Sequence, residues 1–81
     1  MIKVLFFAQL RESIGQEQCE LNAGPTTVAE VKALLIAQNP SWQAALQNKR
    51  LLVAVNQNMA NEQSSVQSGD EVAFFPPVTG G

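Results

Sequence analysis

"TTVAEVKALLIAQNP", residues 26–40, is the stretch on which the fold turns. Thr27 followed three positions later by Glu30 is a capping-box pattern: a hydroxyl takes an orphan backbone N–H of the first helical turn, and the glutamate reaches back. Val28, Val31, Leu34 and Leu35 then recur at helical spacing, which predicts a helix over about 27–38 with those side chains on one side. Asn39-Pro40 ends it and can start a second, short piece in "PSWQAALQ", since Asn is a good cap and Pro is tolerated in a first turn. Trp42 on that piece reads as a core or rim anchor.

The segments on either side alternate with period two. "IKVLFFA" (2–8) sets Ile2, Val4 and Phe6 on one face and Lys3, Leu5 and Phe7 on the other, and its β-branched and aromatic content favours a strand. "QEQCEL" (16–21) alternates more weakly, as an edge strand would, and "AGPT" (23–26) reads as a turn. Beyond the helix, "LLVAVN" (51–56) is a strand, "NQN" (56–58) a turn, "SGD" (68–70) another turn, and "EVAFF" (71–75) the last strand. A hairpin, a helix and further strands imply an α+β fold in which a mixed sheet is covered on one face by the helix, through a right-handed crossover. That is the β-grasp, or ubiquitin-like, arrangement. In it the first and last strands lie parallel and side by side at the centre, which suits the two most apolar strands here. One domain is expected over 1–75, followed by an extended, flexible tail over 76–81.

Composition excludes several classes of function. The 81 residues and 46% apolar content suffice for one core without disulfide or metal. Lys3, Arg11, Lys32, Lys49 and Arg50 are scattered in a chain of net charge −2, so no nucleic-acid footprint is present. With one Cys and no His, the chain can form neither an internal disulfide, a Cys/His zinc cluster nor a Ser/His/Asp triad, and no metal site is expected. Apolar runs such as "VLFFA" and "LLVAV" are five residues long, far short of a membrane span. "MIKVLFFAQL" lacks the small-residue cleavage site of a signal peptide, and a cytoplasmic protein is expected. Cys19 lies mid-strand without a basic neighbour and reads as structural. Arg11, Glu12 and the Lys49-Arg50 pair read as solvated loop or turn residues.

The chain ends in "FFPPVTGG" (74–81). At about 7% average usage, two terminal glycines arise by chance in roughly 0.5% of chains, so the ending asks for a reason. The opening "MIKVLFFAQLRE", the middle "LLVAVNQ" and the ending "GDEVAFFPPVTGG" resemble the small subunits of molybdopterin synthase, the MoaD-type sulfur carriers, over most of the chain. A terminal Gly-Gly on a β-grasp domain is shared with thiamine-pathway sulfur carriers and with ubiquitin-like modifiers, so the alternative readings are a sulfur carrier for thiamine or tRNA thiolation, a ubiquitin-like tag joined to lysines through Gly81, or a binding domain whose tail is inert.

The resemblance implies that an activating enzyme adenylates the Gly81 carboxylate with ATP, and that sulfur then displaces AMP to leave a thiocarboxylate. The thiocarboxylate would donate sulfur to a cyclic pyranopterin monophosphate held by a large subunit, in a heterotetramer of two small and two large subunits. The chain would bind no cofactor itself and would not be a catalyst alone.

The residues suit such a role. An α-carboxyl with an ordinary pKa near 3.5 is already anionic at neutral pH. Gly80 and Gly81 lack Cβ and can enter a channel too narrow for side chains. Pro76 and Pro77 cannot continue a ladder and favour an extended stem. With Val78 and Thr79, the six tail residues span at most about 20 Å, enough to reach into a partner's active site. On the sheet face away from the helix, Leu5, Phe7, Ala73 and Phe75 point outward, and Phe7, Phe75 and Met59 are candidate partner contacts.

Overall fold

In the structure, a computed structural model describing residues 1–77, the first and last strands lie side by side in the interior of a five-stranded mixed sheet. β1 (Ile2–Phe6) runs parallel to β7 (Glu71–Phe75), with Val4 opposite Val72 and Phe6 opposite Phe74. β2 (Gln18–Leu21) pairs antiparallel with the free side of β1, and β4 (Leu52–Val55) with the free side of β7. β5 (Asn58–Ala60) closes the far edge, giving the order β2-β1-β7-β4-β5. β2 lies at an edge and the parallel pair lies inside, both as the sequence predicts.

Helix α2 (Val28–Gln38) covers one face and buries Val28, Val31 and Leu35. Leu34 does not join them: it is 39% exposed. At about 100° per residue it sits a full step around the axis from Leu35, and the core-facing stripe is centred between Val31 and Leu35. The capping box forms by half. The Thr27 hydroxyl oxygen accepts the Glu30 N–H at 3.3 Å, but the Glu30 carboxylate turns to the Thr26 hydroxyl, 3.0 Å away.

The N-terminal third departs from the expected hairpin. The first strand ends at Phe6, and residues expected as strand end and loop form helix α1 (Ala8–Ile14). Leu10 and Ile14, spaced by four, bury on one side of it, and Gly15 at φ 86° supplies its left-handed C-cap. Seven residues are too few for a helix in isolation, so burial of those two side chains stabilises it. Phe7 is therefore the N-cap of α1 and not part of β1.

Three short strands also lie outside the expected set. β5 follows a two-residue turn, Asn56-Gln57, in which both residues have positive φ, as a tight hairpin demands. β3 (Thr26–Thr27) and β6 (Ser65–Val66) pair antiparallel in a separate ribbon, so Thr26 belongs to a strand where a turn is expected. The piece after Asn39 is a 3-10 turn, Pro40–Trp42, running into α3 (Gln43–Leu46). It buries Trp42, which meets Phe6 edge-on at 5.5 Å, while Phe6 stacks on Phe74 at 6.4 Å. These three rings form the centre of a core closed by Ile2, Val4, Leu21, Leu46, Val66 and Val72.

Candidate functional site

β7 carries the chain from the core to its C-terminal segment, so its register decides where that segment starts. Its first residue is fixed from both sides. The Asn56 N–H donates to the Glu71 carbonyl at 2.8 Å, and the Glu71 N–H donates to the Asn56 side-chain carbonyl at 3.0 Å. Asp70 accepts from the Gln67 N–H at 2.8 Å and from the Asn56 side-chain amide at 3.1 Å, while its own carbonyl takes the Lys3 N–H at 3.0 Å. The Gln67 N–H, and after it the Asn56 amide, hold the Asp70 carboxyl below its ordinary value by favouring the anion. The last residue is fixed too: the Phe7 N–H donates to the Phe74 carbonyl at 3.2 Å, and Phe75 lies opposite Leu52.

Past Phe75, Pro76 and Pro77 are half-buried and belong to no strand or helix. Proline has no N–H to give a neighbouring strand, so the ladder stops there. Val78, Thr79, Gly80 and Gly81 lie outside the described residues.

The sheet face opposite α2 carries the other candidates. Strand alternation and register set Leu5, Ala73, Ala54 and Met59 in one row across it, each opposite the next. Phe75 and Leu52 form the adjoining row toward Pro76. Phe7 is 47% exposed and Met59 66% exposed, while Leu5, Leu52, Ala73 and Phe75 are half-buried. Ala54 is buried yet lies outside the core cluster, as expected for a residue shielded by its neighbours on the outer face. At the opposite end of this face the residues turn polar: Lys3 lies between Glu20 and Glu71. Apolar surface thus gathers where β7 gives way to Pro76.

Phe7 and Phe75 are brought to the same end of the sheet, and Met59 stands across it on β5. Leu52 and Ala54 are the positions the sequence reading missed. Placing Val53 and Val55 inward in "LLVAV" would have turned both outward by alternation.

No group of three or more His, Cys, Asp or Glu side chains among the described residues could hold a metal ion. Cys19 is half-buried opposite Val4, packs against the core, and burial pushes its thiol pKa up, away from the reactive thiolate. Arg11 pairs with Glu17 at 3.6 Å, both largely exposed, whereas Glu12, Lys49 and Arg50 lie on the surface. No helix among the described residues is long and apolar enough to cross a membrane.

Known proteins share both sequence and fold with this chain. It matches the ThiS family over residues 4–81. It is 49% identical to the molybdopterin synthase sulfur carrier subunit of Escherichia coli (strain K12), over 100% of both chains. Among solved structures, SAMP1 from Haloferax volcanii superposes with a TM-score of 0.85 at 26% identity, covering 99% of this chain and 98% of that one. One chain of the complex of subunits 1 and 2 of molybdopterin-converting factor from Helicobacter pylori 26695 superposes with a TM-score of 0.68. It covers 99% of this chain and 97% of that one, and at 21% identity it bears on the fold alone. The mixed sheet with its covering helix is thus a ubiquitin-like β-grasp fold, and the chain belongs to the ThiS family, alongside the molybdopterin synthase sulfur carrier subunits.

Proposed function

We infer that the chain is the sulfur carrier subunit of a molybdopterin synthase, serving molybdenum cofactor biosynthesis. The observation that carries this is the end-to-end match at 49% identity to a sulfur carrier subunit of that enzyme, with no residue of either chain left over. The reagent is the C-terminal carboxylate of Gly81. It attacks the α-phosphorus of ATP on an activating enzyme, releasing pyrophosphate and leaving an acyl adenylate. Sulfur at the sulfide level (HS⁻) then displaces AMP to give the thiocarboxylate. The softer sulfur attacks an electrophilic carbon of cyclic pyranopterin monophosphate and displaces an oxygen substituent there, forming a thioester, and water then cleaves the acyl–sulfur bond, leaving sulfur on the pterin and restoring the Gly81 carboxylate.

Partner residues supply the acid, base and pterin pocket. This chain supplies reach and docking. Pro76 and Pro77 hold the stem away from the sheet, Val78, Thr79 and Gly80 thread the partner's channel, and Phe7, Met59 and Phe75 seat the domain at its mouth. The large subunit is the permanent partner in a heterotetramer, the activating enzyme a transient one, and both meet the chain in the cytoplasm, where ATP is at hand.

The test is an intact mass after incubation with the activating enzyme, ATP and a sulfur source. A gain matching one oxygen replaced by sulfur, on the last peptide, is expected, and no gain on that peptide overturns the reading. The likeness to SAMP1 favours a second reading, a protein modifier joined through Gly81 to lysines. Isopeptide-linked products in the same mixture would select it.

A further inference from the structure

The row across the open face is uneven in height. Its two inner positions, Ala73 on β7 and Ala54 on β4, face each other in register and carry only methyl groups. Larger side chains surround them: Leu5 and Met59 at the ends of the row, Phe75 and Leu52 in the next row. Leu52 and Phe75 stand toward the tail, and Glu71 stands on the other side. Ala54 is almost covered by this rim at 7% exposure, so the floor open to a visitor is Ala73. Met59, the most exposed of the rim, is unbranched and can re-seat around an incoming group.

The geometry points to a socket over Ala73 that receives one bulky apolar side chain protruding from the large subunit, so that residue 73 sets partner fit by its volume. This deepens the reading under "Proposed function" and rests on it. The end of the chain identifies the occupant. Ala73 lies two residues before Phe75 on the strand that runs into the tail, and six residues from Pro76 to Gly81 reach at most about 20 Å. A subunit that receives Gly81 in its active site therefore has its entrance within that reach of the socket, whose rim at Phe75 directly precedes the tail. Small residues ringed by large ones fit a protruding anchor, the arrangement in which interface energy concentrates.

If the open face bound merely by apolar area, enlarging Ala73 would strengthen binding. If it is a socket, enlarging Ala73 fills the seat and weakens it. Affinity for the purified large subunit is measured by calorimetry on full-length Ala73→Ser, Ala73→Val, Ala73→Leu and Phe75→Ser, with thermal unfolding of each free chain alongside. Ala73→Ser, close to alanine in volume, is expected to bind within about threefold of the parent. Ala73→Val and Ala73→Leu are expected to lose progressively more, about tenfold or beyond for leucine, with unfolding temperatures held. Valine favours strands, so at least one enlarged variant remains folded. Equal or tighter binding by the valine and leucine variants, with Phe75→Ser weakened, overturns the socket but leaves the docking face standing. Wild-type binding by all four, Phe75→Ser included, overturns the socket together with the reading it rests on.

Discussion

Phe74 and Phe75 are neighbours in the chain and sit on opposite sides of the sheet: Phe74 is fully buried and stacks on Phe6 at 6.4 Å, whereas Phe75 is half-buried opposite Leu52 on the open face. Truncating a core aromatic costs about 3–5 kcal/mol, a large share of the stability of a domain this small. Phe74→Ser should therefore melt far earlier than the parent. Phe75→Ser, and separately Phe7→Ser, should keep most of the stability while losing about 2 kcal/mol of partner binding, roughly thirtyfold in affinity. Thermal unfolding and affinity for the large subunit, measured on all three, check this. Equal destabilisation by Phe74→Ser and Phe75→Ser would remove Phe75 from the docking face.

Removal of Gly81, or addition of one residue after it, should leave the unfolding temperature unchanged, because the core is closed by residues up to Phe74. Both changes should abolish adenylation and sulfur transfer, since they delete or displace the reacting carbonyl. Mass spectrometry of the activation mixture reads the outcome. Full activity with an extended, unprocessed tail would exclude Gly81 as the reacting residue.

Asp70 should make stability fall in acid in a way that Asp70→Asn does not. Its carboxyl is held below the ordinary value of 3.8, chiefly by the Gln67 N–H and then by the Asn56 amide. A group depressed on folding contributes stability that is complete above its unfolded pKa and is lost as pH falls through the folded one. Urea unfolding of both chains from neutral pH into strong acid should show a constant gap above the carboxylate range that closes below it. A gap independent of pH would contradict the assignment.

Cys19 should be dispensable for sulfur transfer. Burial raises its thiol pKa, so the thiolate is scarce at neutral pH. Cys19→Ala should still acquire the C-terminal sulfur at the parental rate, and the parent should react slowly with iodoacetamide at neutral pH. Loss of transfer in Cys19→Ala would place the cysteine in the pathway.

Thr27→Ala tests the half-formed capping box. Loss of the hydroxyl that accepts the Glu30 N–H at 3.3 Å should cost about 1 kcal/mol in denaturant unfolding. Glu30→Ala should cost less, because its carboxylate holds only the Thr26 hydroxyl, on the surface. The reverse order would mean that the glutamate, not the threonine, caps α2.

Local pattern by itself determined the regular elements. Period-two alternation in 2–6 and 71–75 and helical spacing over 28–38 name the strands and helix that build the sheet and its cover. The same alternation told Phe74 from Phe75, because successive side chains of a strand must point to opposite faces. The tail's chemistry was equally legible in "PPVTGG", since it depends on residue type and not on packing.

Tertiary structure alone decided the rest. α1 has too few residues to stand unaided and exists because Leu10 and Ile14 find a core to bury in. β5, three residues in "NMA", is too short to read as a strand and becomes one only because β4 offers an edge and Asn56-Gln57 accept positive φ. Leu34 has the right spacing but falls outside the buried stripe, whose centre is set by the sheet beneath the helix. The apolar face beside the tail is likewise a product of register: Leu5, the hairpin pair Ala54 and Met59, and Ala73 come from three separate stretches of the chain, and only hydrogen-bond pairing sets them side by side.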